Sequence, residues 1–363
     1  MTSMIDTPEG QTVSSAATPG KPKKQGLGLG RYILIRFLLI FPTIFILVTM
    51  VFFLMRITGD PITAALAGRL PPDALAERIA AAGYDRPVIV QYFEYLGNLI
   101  QGDFGTTLSD NTPVTQVLVN YGAATLELGI YALTVAFIIG IPFGMIAAYK
   151  RDRLPDAFLR VFAILSYATP IFFAGLLLKL VFSVWLGWLP VAGRTSYTAE
   201  LEGLRNPTGL YLLDALRSGN WTIIVDVLEH AALPAIALGL LTAGVFLRLV
   251  RTNVIGTLGA QYVEAGRSRG VSEYRLVTKH AYKPALIPII TVMGLQMALL
   301  MGGAVLTETT FEWKGLGFKL AEYLTARDFV AVQGIVMLLA VIVALTNFIV
   351  DIIAALIDPR VRY

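Results

Sequence analysis

Six long runs of apolar residues constrain this chain more than any other feature of its sequence. Each run reaches the roughly 20 residues that a helix needs to cross the hydrocarbon core of a bilayer. Hydrophobic residues make up 56% of the chain and charged residues 15%, which is far from the balance of a soluble domain. We therefore predict an all-α polytopic membrane protein with six transmembrane helices. The predicted spans are Tyr32–Met55, Ala124–Tyr149, Leu159–Trp185, Ala231–Val250, Pro284–Leu306 and Val330–Ile357.

The distribution of Lys and Arg between the spans predicts the orientation of the chain. An even number of spans puts both termini on one side of the membrane. If that side is the cytoplasm, 18 of the 29 basic residues lie in cytoplasmic stretches and 10 lie outside. Because cytoplasmic loops are enriched in Lys and Arg, we predict that both termini are inside. The same segregation explains the basic composition without a nucleic-acid partner.

Composition also predicts how the chain is divided into regions. Residues 1–30 are polar and rich in Ser, Thr, Gly and Pro, which predicts a disordered cytoplasmic tail. Residues 31–363 would form one membrane domain, with a cytoplasmic loop at residues 253–283. Two external segments, residues 56–121 and 185–229, are long enough to fold on the membrane surface.

The first external segment contains a predicted helix of its own. Asp73–Ala82 has the spacing of an amphipathic helix, with Leu75 and Ile79 on its apolar face. Packing on the membrane surface and docking of a partner both remain open as roles for the external segments.

A charged island, Gln261–Lys283, lies in the cytoplasmic loop between two apolar spans. It is rich in Lys and Arg, and its acidic residues are Glu264 and Glu273. Gln261–Arg269 has the composition of a short helix. Gly270 is predicted to end that helix, because a residue without a Cβ reaches the left-handed conformation at a helix end most easily.

A second short helix is predicted after the bend. Ser272 is placed to cap it, and Tyr274 and Leu276 are predicted as its apolar anchors. A helix, a bend and a helix would make a rigid handle on the cytoplasmic side.

Motifs that carry chemistry are missing from the sequence. There is no cysteine, no GxxxxGK[ST] loop for nucleotide phosphates, no HExxH metal spacing and no GxSxG elbow. With two histidines in 363 residues, a catalytic or metal site built on histidine is not expected. We predict that the chain is not an enzyme and holds no cofactor or metal.

A few polar and small residues within the spans have predicted roles. Asp351 and Asn347, one helical turn apart, are predicted to bond across helices, with a pathway role as the alternative. Lys179 is predicted to extend its ammonium towards the membrane surface. Gly140 and Gly144 have the spacing that lets two helices approach closely, so we predict helix packing there.

The sequence resembles a known family over about 330 residues. Glu264-Ala265-Gly266, followed by Gly270, resembles the EAA loop of ABC-importer permeases. The other motifs resemble the B-type permease subunit of dipeptide and oligopeptide ABC importers. They are Gly59–Pro61, Gly83–Gly105, Ala124–Gly129, Trp188–Arg194, Gly294–Gly317, Arg327–Phe329 and the closing DPRVRY.

The resemblance implies the type I permease fold and a function in transport. The charged island would dock onto an ATPase through its EAA motif and its second helix. The residues implied in coupling are Glu264, Ala265, Gly266, Gly270, Val271, Ser272, Tyr274, Leu276 and His280. Glu127, Gln296 and Asn347 are predicted to line the substrate pathway. Glu127 would guide the amino group of a peptide, or would pair with a neighbouring donor.

Partners and location also follow from the resemblance. The chain would form a heterodimer with a C-type permease in the bacterial inner membrane, above two ATPases that bind ATP and Mg²⁺. A solute-binding protein outside would deliver the substrate. The wording His280-Ala281 favours the peptide branch of the family, although Pro284 departs from its pattern. Nickel, glutathione or oligosaccharide remain as alternative substrates.

A channel or an ion-coupled secondary transporter is the alternative from another class. Such a protein needs intramembrane charges for coupling, and Glu127 and Asp351 are few and peripheral.

Overall fold

The computed structural model describes residues 29–357, apart from 58, 67, 69, 202, 203 and 205–207. The predicted disordered tail, up to residue 28, therefore lies outside the described residues, as does the closing motif. The described part of the chain is helical, with one isolated β-bridge between Thr106 and Pro113.

The helices follow one another with short connections. The first half of the chain contains α1 (Leu29–Ile57), α2 (Pro61–Leu66), α3 (Pro72–Ala81), α4 (Val88–Ile100), α5 (Val114–Tyr149), α6 (Leu154–Ala168) and α7 (Ile171–Leu178). The second half contains α8 (Tyr197–Leu201), α9 (Tyr211–Ser218), α10 (Trp221–Leu258), α11 (Gln261–Ser268), α12 (Glu273–Arg275), α13 (Tyr282–Phe311), α14 (Leu316–Thr325) and α15 (Phe329–Ile357). Two π-helical segments, Lys179–Trp185 and Leu276–Ala281, continue α7 and α12.

Five of the predicted spans correspond to single long helices: α1, α5, α10, α13 and α15. The sixth predicted span, Leu159–Trp185, is not one continuous helix, and the count of six spans stays a prediction. This stretch is made of α6 and the π-extended α7, which meet at an angle of 108°. Pro170 explains the break, because proline lacks an N–H and keeps the preceding residue out of the helical region. Thr169 accordingly has φ −79° and ψ 125°.

Two spans are longer than their apolar runs. α5 begins at Val114 rather than at Ala124, and α10 begins at Trp221 rather than at Ala231. At the start of α10, the side chain of Asn220 accepts a hydrogen bond from the Thr222 backbone N–H at 3.0 Å and caps the helix. Hydropathy identifies the part of a helix that suits lipid, whereas the backbone hydrogen bonds continue beyond it.

The core of the membrane domain is the contact between α5 and α10. A Cβ at Gly140 would lie 2.8 Å from the Ala243 carbonyl oxygen, and one at Gly144 would lie 2.6 Å from the Val250 Cβ. The predicted packing role of both glycines is confirmed. In its most apolar stretch α10 is 67% buried and α1 is 17% buried, so α10 is central and α1 is peripheral.

Charged residues of the spans make contacts between helices. Asp351 of α15 pairs with Arg36 of α1 at 3.3 Å, which confirms the predicted bond across helices. The extension of Lys179 to the membrane surface stays a prediction. The Lys179 ammonium donates to the Thr310 carbonyl at 2.8 Å. That carbonyl belongs to the last turn of α13, where a cation is favourable.

The segment between α1 and α5, which we call the cap, folds into a small unit. Ile62, Ala65 and Leu66 form a buried cluster, and Leu75 and Ile79 of α3 pack against it. The predicted amphipathic helix is therefore confirmed.

One aspartate fastens this cap to the other end of the chain. The Asp328 carboxylate accepts hydrogen bonds from the backbone N–H groups of Leu108 and Ser109 at 2.6 and 2.8 Å. Nearby, the Tyr323 hydroxyl donates to Asp110 at 3.0 Å. Burial favours the neutral form of Asp110, but the hydrogen bonds from Thr107 and Tyr323 prevail and lower the pKa of its carboxyl.

Candidate functional site

The first candidate site is the coupling segment, which we define as Gln261–Ala281. Its first helix, α11, ends in a left-handed turn at Gly270, where φ is 79°. The Val271 N–H donates to the Gly266 carbonyl at 3.2 Å, and the Gly270 N–H donates to the Arg267 carbonyl at 2.9 Å. These two bonds satisfy carbonyls that the helix end leaves free. The bend predicted at Gly270 is present.

The inner face of the coupling segment is apolar. Val263, Leu276, Val277 and Ala281 are at most 2% exposed. Val277 and Ala281 belong to a buried cluster that also contains residues of α5 and α10. Gly266 lets the two arms of the segment approach, because a Cβ there would lie 3.0 Å from the Leu276 Cδ2 atom. The coupling segment is therefore packed directly against the core helices.

The outer face of the coupling segment is charged and open. Glu264, Lys279 and His280 are exposed. Arg267 and Glu273 join the two arms on this face through an ion pair of 2.5 Å, and the hydrogen bond that Arg267 donates to Glu273 raises the pKa of Arg267. An exposed pair of this kind adds little stability, so the buried inner face holds the segment in place.

Two details of the second arm differ from the sequence prediction. Ser272 occupies the N-cap position of α12, but its side chain makes no capping hydrogen bond. Leu276 is a buried anchor, as predicted, whereas Tyr274 is 65% exposed and meets the Tyr149 ring edge-on at 6.2 Å. The prediction of Tyr274 as an anchor is wrong, because residues two positions apart lie on different faces of a helix.

A buried ion pair joins α6 to α10, the helix that precedes the coupling segment. Asp156, in the first turn of α6, is fully buried. Arg251, near the C-terminal end of α10, donates to both of its carboxylate oxygens at 2.6 and 2.8 Å. The pair is bidentate, which fixes the angle between the two helices as well as their distance. Arg251 precedes Gln261, the first residue of α11, by ten residues.

The second candidate site is the outer pocket, a cavity of about 530 Å³ between the second external segment and the ends of α5 and α13. Tyr121, Arg194, Glu200, Glu312 and Lys314 are among its lining residues. Charges of both signs thus surround the cavity.

Arg194 forms a fixed wall of the outer pocket. Its guanidinium lies 3.7 Å from the centre of the Tyr211 ring and donates to the Gly209 carbonyl at 2.7 Å. The same nitrogen donates to Glu127 at 2.6 Å. The side chain of Arg194 is 8% exposed, and its Nε atom has no hydrogen-bond partner within the described residues.

Glu127 lies behind this wall and is fully paired. One carboxylate oxygen accepts from Arg194, and the other accepts from the Leu212 N–H at 2.8 Å and the Tyr131 hydroxyl at 3.0 Å. Of the two roles open for Glu127, this geometry matches pairing with a neighbouring donor. Direct contact with substrate stays a prediction.

The other two predicted pathway residues lie elsewhere. Gln296 of α13 is 4% exposed, and its side-chain oxygen has no hydrogen-bond partner in the described part of the chain. Asn347 of α15 packs against α13, since a Cβ at Gly294 would lie 2.6 Å from its Oδ1 atom. The structure thus places Asn347 beside the stretch of α13 that carries Gln296, and places Glu127 in a separate network.

Sequence reasoning assigned no role to two further charged residues. Arg194 closes the Trp188–Arg194 motif. Glu308 lies in the Gly294–Gly317 motif, is fully buried, and accepts hydrogen bonds from the Thr125 hydroxyl at 2.6 Å and the Phe318 N–H at 2.8 Å. A charged residue inside a recurring apolar motif was the available signal, because such a residue requires a partner.

Comparison with known proteins identifies this helical membrane domain as the membrane subunit of a transporter. Residues 140–363 match the family described as binding-protein-dependent transport system inner membrane component. The di/tripeptide transport system permease protein DppB of Pseudomonas aeruginosa is 39% identical over 90% of this chain and 96% of its own length. The glutathione transport system permease protein GsiC of Salmonella typhimurium is 34% identical over 92% of this chain and 99% of its own length.

Among solved structures, the MetNI methionine ABC transporter in inward-facing conformations matches with a TM-score of 0.47 and 17% identity, over 67% of this chain and 97% of that chain. The chain belongs to the family of binding-protein-dependent transport system inner membrane components, and it is a multi-pass permease subunit of a bacterial ABC importer.

Proposed function

We propose that this permease forms half of a pathway that carries di- and oligopeptides across the inner membrane, with both of its termini in the cytoplasm. The name of the Pseudomonas aeruginosa relative, a di/tripeptide permease, supports a peptide substrate, and the name of the Salmonella typhimurium relative keeps glutathione as the alternative. The observation that carries the proposal is the coupling segment, whose apolar face is buried against α5 and α10 while its charged face stays open.

The pathway is proposed to run along one stripe of α13. Leu295, Leu299 and Leu306 are 63%, 51% and 50% exposed, and no atom lies within 4 Å of a Cβ placed at Gly302. These four positions share one face of the helix. The rest of α13 packs against α5, α7, α10 and α15, so this stripe is left for a C-type permease and the substrate between the two subunits. An apolar stripe holds varied side chains weakly, which suits an importer of many peptides.

We propose that the residues implied in coupling have two roles, which depend on the face of the coupling segment where they lie. Gly266, Gly270, Val271 and Leu276 shape the segment. The residues that would contact an ATPase are Glu264, Ala265, Ser272, Tyr274 and His280, all exposed. Two partner ATPases would bind and hydrolyse ATP with Mg²⁺, and their closure would move the segment together with α5 and α10. A solute-binding protein would dock on the external segments, residues 56–121 and 185–229.

Reporter fusions test the proposed topology. A fusion after Gly219, between α9 and α10, is expected to report the external side, and one after Gly270 the cytoplasm, because α10 separates them and the basic residues lie around the second. Signals from the same side would contradict the topology.

Reconstitution tests the substrate and the coupling. In proteoliposomes that contain this chain with its partner subunits and binding protein, we expect ATP-dependent uptake of a labelled dipeptide. Glu264→Lys is expected to reduce both uptake and ATPase association about tenfold or more, since loss of a charged interface contact costs about 2 kcal/mol or more. Asp73→Lys, an equal charge change on the exposed external helix α3, is the matched control and should leave ATPase association unchanged.

The same assay separates the alternatives. Uptake of nickel, glutathione or an oligosaccharide in place of the dipeptide would reassign the substrate. Uptake that needs an ion gradient and no ATP would contradict the proposal and favour a secondary transporter.

A further inference from the structure

We propose that the cap holds a second binding site, for a small zwitterion of the free α-amino acid class. The site is a cavity of about 150 Å³ between the end of α1, the cap helix α4 and the start of α15. We call it the glutamine pocket, after Gln91 and Gln333 in its walls. It is independent of the coupling segment and of the α13 stripe.

Unpaired polar atoms are concentrated in the glutamine pocket. Seven buried side-chain atoms in the described part of the chain lack a hydrogen bond of standard geometry, and four of the seven belong to residues that line this cavity: Arg56 Nε, Gln91 Oε1, Tyr95 OH and Gln333 Nε2. The Gln333 amide interacts with the Tyr95 hydroxyl, so Arg56 Nε and Gln91 Oε1 are the two atoms left without a partner. Gln91 is 7% exposed and Gln333 is 9% exposed. Because buried polar atoms are nearly always hydrogen bonded, such a concentration indicates a polar occupant.

The protein itself fixes the orientation of these groups. The Gln91 amide nitrogen donates to the carbonyls of Tyr84 and Arg86 at 3.1 and 2.7 Å, so its oxygen is left as an acceptor. The Arg56 guanidinium lies 4.9 Å from the Phe52 ring centre and 4.6 Å from that of Tyr84. Tyr95 stacks on Phe52 at 5.3 Å. The pocket is therefore pre-organised rather than collapsed.

The charges of the pocket suit a molecule with one positive and one negative end. Arg56 Nε and Gln333 Nε2 are donors that fit a carboxylate. Gln91 Oε1 and the carboxylate of Asp103, which also lines the cavity, fit an ammonium group, and Glu94 at the rim is paired with Arg86. At about 30 Å³ per water, the volume equals roughly five waters, which is the size of glycine or alanine. A dipeptide is too large, so the pocket is not a second copy of the pathway.

Calorimetric titration of the assembled importer tests the site. The complex is placed in nanodiscs of phosphatidylglycerol, a lipid without an ammonium headgroup, and titrated with L-alanine, propionate or ethylamine. We expect saturable binding of one L-alanine per subunit, and affinities about tenfold or more weaker for the two half-ligands, because each loses one charged set of hydrogen bonds. L-alanine is also expected to raise the melting temperature of the complex.

Variants assign the binding to this pocket. Gln333→Leu and Arg56→Gln are each expected to weaken L-alanine binding about tenfold or more. Gln101→Leu, in the same cap but exposed and outside the pocket, should bind like the wild type. Absence of saturable binding to the intact complex would overturn the proposal and leave the cavity to water. Unchanged binding in both pocket variants would also overturn it, by moving the site elsewhere.

Discussion

Gly270→Val is expected to reduce ATP-driven uptake about tenfold or more while the permease remains inserted in the membrane. The backbone at Gly270 has φ 79°, a conformation that costs other residues about 1–2 kcal/mol. No atom lies within 4 Å of a Cβ at this position, so the strain arises from the backbone and not from a clash. A relaxed turn would tilt α12 and move the outer face away from its ATPase. Uptake and ATP hydrolysis measured together on the same proteoliposomes report this uncoupling.

The neighbouring Gly259 provides the matched control. It also ends a helix next to the coupling segment, but its φ is −82°, which any residue adopts. Gly259→Val should therefore retain most of the uptake. Gly270→Asn should retain more uptake than Gly270→Val, since Asn enters the left-handed region more readily. Equal uptake by Gly270→Val and Gly259→Val would refute the role assigned to the turn.

Arg194→Met is expected to destabilise the subunit by about 3–5 kcal/mol, the usual effect of removing one partner of a buried ion pair. The two side chains of the Arg194–Glu127 pair are 8% and 5% exposed, so the change leaves a buried carboxylate without its cation. The free energy of unfolding in detergent, from denaturant titration, measures the loss. The double variant Glu127→Gln with Arg194→Met should recover part of it, because the uncompensated charge is then removed.

An ion pair whose arginine is exposed, in the same segment, is the control for this prediction. Arg217 is 59% exposed and lies 3.9 Å from the buried Asp214, which keeps a hydrogen bond from the Thr208 hydroxyl when Arg217 is replaced. Arg217→Met should change the free energy of unfolding by about 0.5 kcal/mol or less. If Arg194→Met proves as mild as Arg217→Met, the Arg194–Glu127 pair does not hold the outer pocket together.

Local features of this chain could be predicted from its sequence with little error. Gly270 is required where the backbone must turn left-handed, and Gly140 and Gly144 are required where two helices touch. Leu75 and Ile79 follow the helical period of α3. Each of these predictions concerns residues close together in the sequence, whose geometry the backbone imposes. The prediction for Tyr274 failed because Tyr274 lies two positions from the buried Leu276, and therefore on a different face of the helix.

The contacts that form the candidate sites could not be predicted from the sequence. Glu127 was identified as important, but its partner Arg194 is 67 residues away, and Asp156 lies 95 residues from Arg251. No sequence period relates such pairs. Gln91 and Gln333, which meet in the glutamine pocket, could not be distinguished from the other glutamines by sequence alone.

The sequence by itself determined the helical membrane class, the approximate spans and the bend of the coupling segment, because membrane thickness and backbone sterics act on neighbouring residues. The tertiary structure alone decided the angle between α6 and α7, the partners of Glu127 and Asp156, and the assembly of the outer and glutamine pockets. These depend on which helix faces which, and that is decided by the packing of side chains from the whole chain at once.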